Sequence, residues 1–209
     1  MYIKIKMEKI LPLYKAKLMD DVDGITAVSL VKYPAIGKDF ITFSKEEEQK
    51  KKINFSVDEE KHNIMGCVLR ANFPIYRRDG EYEYYVEFSK DTILEMTKKM
   101  FADKTYADNN EQHDGEKNIS DELQTIGYFI KDAENGISPK GFDDVDDGSL
   151  FGIYHVTDED LWEKIKDGKM NGFSVECEMV YVMDENEAVD VEEQEILNMI
   201  EKLKNKINK

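Results

Sequence analysis

A serine and a histidine in the second half of this chain have the chemical types that nucleophilic acyl transfer requires. Ser174 lies in the word KMNGFSVEC at 169–177, and His113 lies upstream in the polar run NEQHDG at 110–115. A serine hydroxyl is a poor nucleophile until a neighbouring base takes its proton, and histidine is the side chain best suited to that task near neutral pH. The pair has the residue types of a serine hydrolase site, if the fold brings the two together. Taken alone, the residues are more simply explained as a small polar residue on a wet strand face and an exposed loop histidine.

A base histidine needs a partner on its other ring nitrogen, and the sequence leaves three candidates for that partner. Glu176 and Glu178 share the strand face of Ser174, and same-face positions are about 7 Å apart along a strand. His155 is the only histidine on another nearby predicted strand. We rank Glu176 first, Glu178 second and His155 third.

Short strands and two helices are predicted to position these residues. Alternating or β-branched apolar runs indicate strands at 24–31, 40–43, 64–71, 123–130, 150–156 and 172–183. One helix is predicted over 91–102 after the cap Ser89, and a second after the cap Asp158, ending at Gly168. Many short strands with few helices favour an α+β fold, a β-rich barrel with peripheral helices and a C-terminal helix.

The strand that carries Ser174 has two unlike faces. Phe173, Val175 and Cys177 point one way and are predicted to enter the core, whereas Ser174 and Glu176 point the other way, toward a polar surface. A tight type I′ turn is predicted at Asp79-Gly80, between strands at 75–78 and 81–88. The polar segments 105–119 and 132–149 are predicted to be loops.

The last part of the chain is predicted to be a charged helix over 192–209 with a narrow apolar stripe. Such a stripe suits either docking on a partner or second copy, or packing on the protein's own barrel. We therefore predict a main domain at 1–186 and an appendage at 187–209. The charge run SKEEEQKKK at 44–52 is predicted to be a solvated helix or linker.

Composition bounds the class of protein. The chain has 209 residues and a net charge of −16, which argues against binding to nucleic acid or an anionic membrane, since both select basic surfaces. No apolar run approaches a membrane span, and Cys67 and Cys177 are predicted to be reduced core residues of a cytoplasmic protein. The acidic run at 143–148 has Val145 where a calcium loop needs an acid, so no metal site is predicted.

Several separated sequence motifs resemble those of the XkdF-like phage serine proteases, relatives in fold of prohead proteases and herpesvirus assemblins. The motifs occur in the same order as in the family and span most of residues 20–182. They are TAVSLVKYPAI at 26–36, PIYRR at 74–78, YYVEFSK at 84–90, HD at 113–114 and WEKIKDGKMNGFSVE at 162–176. Cys177 stands where the family usually has glycine.

The resemblance implies a serine endopeptidase of phage head maturation with an assemblin-like barrel. His113 matches the family's catalytic histidine and Ser174 its nucleophile, and phage relatives use a carboxylate as the third member. The implied substrates are the scaffold and major capsid proteins inside the procapsid, in the host cytoplasm, with no cofactor and a possible homo-oligomer. The alternative is a catalytically inactive, scaffold-associated assembly protein within the capsid.

Overall fold

The computed structural model describes residues 10–19, 23–35, 41–42 and 61–190. Its strands are β1 Ile10–Lys17, β2 Gly24–Val31, β3 Ile41–Thr42, β4 Asn63–Leu69, β5 Ile75–Asp79, β6 Tyr82–Glu87, β7 Asn109–Glu111, β8 Asp114–Asn118, β9 Leu123–Ile130, β10 Leu150–Val156, β11 Gly172–Glu178 and β12 Val180–Asp190. Its helices are α1 Lys90–Asp103 and α2 Glu159–Lys166, and a short 3-10 turn spans Thr105–Ala107. The chain is α+β and strand-rich, as predicted.

The strands form three four-stranded sheets within the described part of the chain. Their orders are β12-β1-β6-β5, β3-β4-β10-β9 and β11-β2-β7-β8. None of these sheets closes on itself as a barrel. The third sheet holds the candidate chemistry, because β11 carries Ser174 and the turn between β7 and β8 carries His113.

A continuous apolar core lies between the sheets and the two helices. Its largest fully buried side chains are Trp162, Tyr154, Phe88, Phe142, Phe151 and Phe173. Phe173, adjacent to Ser174, packs on Tyr154 of β10 with ring centroids 4.6 Å apart. The core face of β11 thus fixes the strand that carries the candidate nucleophile.

Both helices begin at the caps that the sequence predicted. The Ser89 hydroxyl accepts a hydrogen bond from the Thr92 amide, and the Asp158 carboxylate accepts one from the Leu161 amide. These bonds satisfy amides that have no partner inside the helix. Gly168 follows α2 with φ +67°, a conformation that glycine adopts without a steric penalty.

The hairpin between β5 and β6 is present, but its predicted turn was wrong by one residue. Asp79 pairs with Tyr82, so the two central residues are Gly80 and Glu81. Of these only Gly80 has a positive φ, +59°. A type I′ turn needs positive φ at both positions, so the observed pattern instead matches type II′.

The prediction of a loop over 105–119 was also wrong, because β7 and β8 form a hairpin there. All three β7 residues, Asn109–Glu111, are buried despite being polar. Backbone pairing with β2 and β8 explains the strand. Hydropathy could not predict it, since these polar side chains are buried by bonding to other polar groups, such as the Leu123 carbonyl and the Glu176 carboxylate, rather than by apolar contact.

The segment 132–149 was predicted to be an exposed loop, yet Phe142 and Val145 enter the core. Two buried basic side chains bind backbone carbonyls of this acidic segment. The Lys131 ammonium donates to the Val145 carbonyl, and the Arg70 guanidinium donates to the Asp144 carbonyl at 2.9 Å. These contacts allow an acidic segment to lie against the core.

The strand predicted over 172–183 divides at Met179 into β11 and β12, which belong to different sheets. The predicted boundary at residue 186 falls inside β12, which pairs with β1 as far as Asp190. The predicted helix over 192–209 and the charge run at 44–52 lie outside the described residues. No helix in the described part of the chain is long and apolar enough to cross a membrane.

Candidate active site

The site is built on a row of polar residues that crosses three strands of one sheet. Ser174 of β11 pairs with Ser29 of β2, and Ser29 pairs in turn with Asn110 of β7. Directly opposed residues on neighbouring strands have Cβ atoms about 4.5–5.5 Å apart. Strand register therefore holds these three side chains in a fixed order across the sheet.

His113 is presented by the tight turn between β7 and β8. Glu111 pairs with Asp114, which leaves Gln112 and His113 as the two central residues, with φ +58° and +62°. Positive φ at both positions is the pattern of a type I′ turn, which asparagine and glycine normally occupy. Two larger side chains here store strain of about 1–2 kcal/mol each, and such strain is typical of functional sites.

Contacts around the turn hold it against the sheet. The Gln112 amide donates to the Leu30 carbonyl of β2 at 3.0 Å. The Gln112 side-chain amide donates to the Met170 sulphur at 3.3 Å. The backbone bond ties the histidine turn to the strand that carries Ser29, so the strained conformation is imposed by its surroundings.

The imidazole of His113 is bound through one nitrogen, Nδ1. This atom lies 2.9 Å from the Ser29 hydroxyl and 3.4 Å from Oε1 of Glu176. The same Oε1 lies 3.1 Å from the Ser29 hydroxyl and accepts a hydrogen bond from the Asn110 amide at 2.5 Å. Oε1 of Glu176 therefore contacts three residues, one on β2, one on β7 and one in the turn between β7 and β8.

The position of Glu176 along β11 places this carboxylate. Glu176 lies two residues beyond Ser174 on the same face of the strand, about 7 Å farther along it. The register with β2 shifts just after Glu176, where Thr26 of β2 has no opposite residue in β11. Glu176 thus reaches the imidazole from the strand that also carries Ser174.

Ser174, His113 and Glu176 line one cavity of about 570 Å³. Other walls come from three aromatic or basic residues, Tyr33, Arg77 and Tyr181. Ser174 was predicted to face solvent, but only 8% of its surface is exposed, because it faces this cavity. Ser29, by contrast, is fully buried and does not line the cavity.

Glu111 anchors the histidine turn to helix α2. Its carboxylate lies 2.7 Å from the ammonium of Lys117 on β8 and 3.1 Å from that of Lys164 on α2. Burial alone would raise the pKa of Glu111, but hydrogen bonds and charge from the two lysines outweigh it and lower that pKa below its ordinary value. The residue next to the turn is therefore held as an anion between two cations.

The two lower-ranked partners of His113 lie elsewhere. Glu178 is exposed and pairs with Gly24 at the far end of β11, outside the cavity. His155 lies in the second sheet, where its Nδ1 is 2.8 Å from Oδ1 of Asn63. The alternation of faces could not separate the two glutamates, since it places both on the face of Ser174.

Cys177 borders the same cavity but is not a competing nucleophile. Burial raises the pKa of its thiol to about 11, against a smaller opposing influence from Arg77. A thiol is nucleophilic only as the thiolate. At neutral pH the hydroxyl of Ser174 is therefore the candidate nucleophile of this wall.

Sequence reasoning missed Ser29, Asn110, Glu111 and Lys164. Ser29 lies inside an apolar strand and reads as a small core residue. Asn110 and Glu111 were part of the polar run around His113, but its composition indicated a loop. The one signal in the sequence was that Asn110 and Glu111 lie just before the candidate histidine in the chain.

No known protein family, curated protein or solved structure matches this chain. The interpretation of the site therefore depends on its geometry. A hydroxyl at a cavity wall, an imidazole on the same wall and a carboxylate on Nδ1 of that imidazole are the parts that acyl transfer from serine requires.

Proposed function

We propose that this protein is a serine endopeptidase of the prohead-protease type, with Ser174 as nucleophile, His113 as base and Glu176 as the orienting carboxylate. The observation that carries the proposal is the convergence of these three residues on one cavity. They come from β11 and from a turn far away in sequence. The known contacts of His113 involve Nδ1, which lies beside Ser29 and Glu176, so we assign Nε2 to the proton of Ser174.

The proposed reaction follows from these positions. The Nε2 atom of His113 accepts the proton of the Ser174 hydroxyl while the serine oxygen bonds to the scissile carbonyl carbon. The carbonyl electron pair moves to its oxygen, and collapse of that intermediate expels the amine, which takes the proton from His113. Water, activated by the same histidine, then hydrolyses the acyl-enzyme.

Ser174 is favoured over Ser29 as nucleophile by its access to substrate. The Ser29 hydroxyl is closer to Nδ1, but Ser29 is fully buried within the sheet. A peptide carbonyl could not approach it without displacing the side chains that cover it, such as His113 and Glu176. Ser174 faces the cavity, where a substrate can enter.

The sheet edge supports a peptide substrate. Among the described strands, β11 pairs with β2 on one side and stands at the edge of its sheet on the other. An extended peptide can add to such an edge through backbone hydrogen bonds. We propose that the peptide comes from the scaffold or major capsid protein inside the phage procapsid, and that the fold is a divergent form of the assemblin-like barrel.

Incubation of the purified protein with its cognate scaffold, with and without a fluorophosphonate, tests the proposal. We expect cleavage that the reagent blocks, and mass spectrometry should find the label on Ser174. Ser174→Ala should abolish both while folding normally. A label on Ser29 would reassign the nucleophile.

Matched variants test the other two roles. His113→Gln and Glu176→Gln should lose activity, whereas His155→Gln and Glu178→Gln, which change the same side-chain types outside the cavity, should retain it. Absence of both cleavage and labelling in the folded wild-type protein would instead favour the inactive, scaffold-associated assembly protein.

A further inference from the structure

The Ser29 hydroxyl lies beside both the imidazole of His113 and the carboxylate of Glu176, within hydrogen-bond distance of each. The distances are 2.9 Å to Nδ1 of His113 and 3.1 Å to Oε1 of Glu176. The direct separation of Nδ1 and Oε1 is 3.4 Å. Charge-assisted N–H···O bonds are usually about 2.7–2.9 Å long, so the path through the hydroxyl is the better bonded of the two.

The hydrogen atoms at this junction can be assigned by counting donors and acceptors. A serine hydroxyl has one hydrogen and two acceptor lone pairs, and an ionised carboxylate only accepts. Oε1 of Glu176 already accepts from Asn110. If Ser29 donates to Oε1, its oxygen is free to accept a hydrogen from Nδ1, and all three groups are satisfied.

The opposite assignment leaves an unfavourable contact. If Nδ1 carried no hydrogen and accepted from Ser29, Oε1 would face the lone pairs of the Ser29 oxygen at 3.1 Å and those of Nδ1 at 3.4 Å. Ser29 is fully buried, so water cannot solvate its oxygen at this contact. The arrangement that satisfies every atom puts the hydrogen on Nδ1.

We propose that Ser29 is a positioning residue that links Glu176 to His113 and holds the neutral imidazole in its Nδ1–H tautomer. Nε2 is then the unprotonated nitrogen, as a base requires. When Nε2 takes a proton, the ring becomes cationic, Nδ1 keeps its hydrogen bond to Ser29, and the Glu176 carboxylate stabilises the positive charge through the hydroxyl. The catalytic consequence rests on the function proposed above, whereas the tautomer does not.

The tautomer can be measured directly by NMR of protein labelled with ¹⁵N in its histidines. The nitrogen shifts distinguish a protonated from an unprotonated ring nitrogen, and His113→Gln identifies the signals of His113. We expect Nδ1 to carry the hydrogen in the neutral wild-type ring. We expect the Nε2–H form to gain population in Ser29→Ala and the wild-type pattern to return in Ser29→Thr, which keeps the hydroxyl.

Glu178→Gln is the matched control, because it changes a carboxylate of the same strand outside the cavity and should leave the tautomer unchanged. If the protein proves to be a protease, Ser29→Ala should slow fluorophosphonate labelling at least about tenfold. The loss should stay below the ~10⁴-fold effect of replacing a triad carboxylate by its amide, since Glu176 remains beside the ring.

The wild-type spectrum alone can overturn the proposal and needs no variant to fold. A neutral His113 with its hydrogen on Nε2 would do so, as would a folded Ser29→Ala that retains the wild-type tautomer. An Nδ1–H ring that depends on Ser29 in a protein without protease activity would support the link and reject the proposed function.

Discussion

The ion pairs of Glu111 give the sharpest prediction about how the histidine turn is held. Glu111→Gln keeps the shape of the side chain but removes the charge that two lysines neutralise. One lysine, Lys117, belongs to the same hairpin, whereas Lys164 belongs to helix α2. The substitution therefore weakens both the hairpin and its connection to the helix.

The expected loss follows from burial and distance. The Glu111 side chain is 10% exposed, while those of Lys117 and Lys164 are 49% and 37% exposed. Hydrogen bonds to charged groups contribute about 1.5–3 kcal/mol each, and the exposure of the lysines reduces that contribution toward the lower values of surface pairs. We expect Glu111→Gln to lower the free energy of unfolding by about 2 kcal/mol, or the melting temperature by roughly 4–8 °C at this chain length.

The pH dependence of stability distinguishes the loss of the Glu111 charge from a change in side-chain shape. Because folding lowers the pKa of Glu111 below its ordinary value of 4.5, ionised Glu111 stabilises the native state above that value. This stabilisation is lost as pH falls through the folded-state pKa. Thermal or urea unfolding should show the full difference between wild type and Glu111→Gln at pH 7, and a much smaller one at pH 3.

Two results would contradict this account. A difference of equal size at pH 7 and pH 3 would show that shape, rather than charge, is responsible. If Lys164→Met slowed labelling of Ser174 no more than Lys117→Met did, the connection to α2 would have no part in positioning His113. We expect Lys164→Met to have the larger effect on labelling, although both lysines contact the same carboxylate.

Three further predictions concern other parts of the fold. Gly152→Ala should destabilise by about 1–3 kcal/mol through overpacking, because a Cβ would lie 2.6 Å from the ring of Tyr154. Gly127→Ala, with nothing within 4 Å, should be close to neutral, and equal melting temperatures would refute the clash. Cys177 should resist iodoacetamide at pH 8 in the native state, since a pKa of about 11 leaves roughly one thiol in a thousand ionised; alkylation as fast as in the denatured chain would refute its burial. Gln112→Gly should be more stable than Gln112→Ala by about 0.5–1 kcal/mol, since both lose the bond to Met170 but only glycine relieves the left-handed φ. Equal stabilities of the two variants would show that the residue is not strained.

Local sequence signals determined much of the secondary structure. The caps Ser89 and Asp158 start their helices as predicted, because a cap bond joins residues three positions apart and depends on little else. The strands β2, β9 and β10 match their predicted bounds for a similar reason. Their apolar patterns encode burial directly.

Errors occurred where polar residues are buried. Asn110 and Glu111 have the composition of a loop but lie in a strand, and Val145 enters the core within an acidic segment. In each case partners distant in sequence offset the cost of burial, as the lysines do for Glu111. A pattern of hydropathy contains no information about such partners.

The sequence by itself determined which residue types could perform acyl transfer, and it identified Ser174, His113 and Glu176 as candidates. Only the tertiary structure decided their arrangement. Register across β11, β2 and β7 aligns Ser174 with Ser29 and Asn110. Glu176 lies nearer to that row than Glu178 does, and a strained turn brings His113 beside its carboxylate. The physical reason is that side-chain type is local, whereas hydrogen-bond distance between residues far apart in the chain is set by strand pairing and packing.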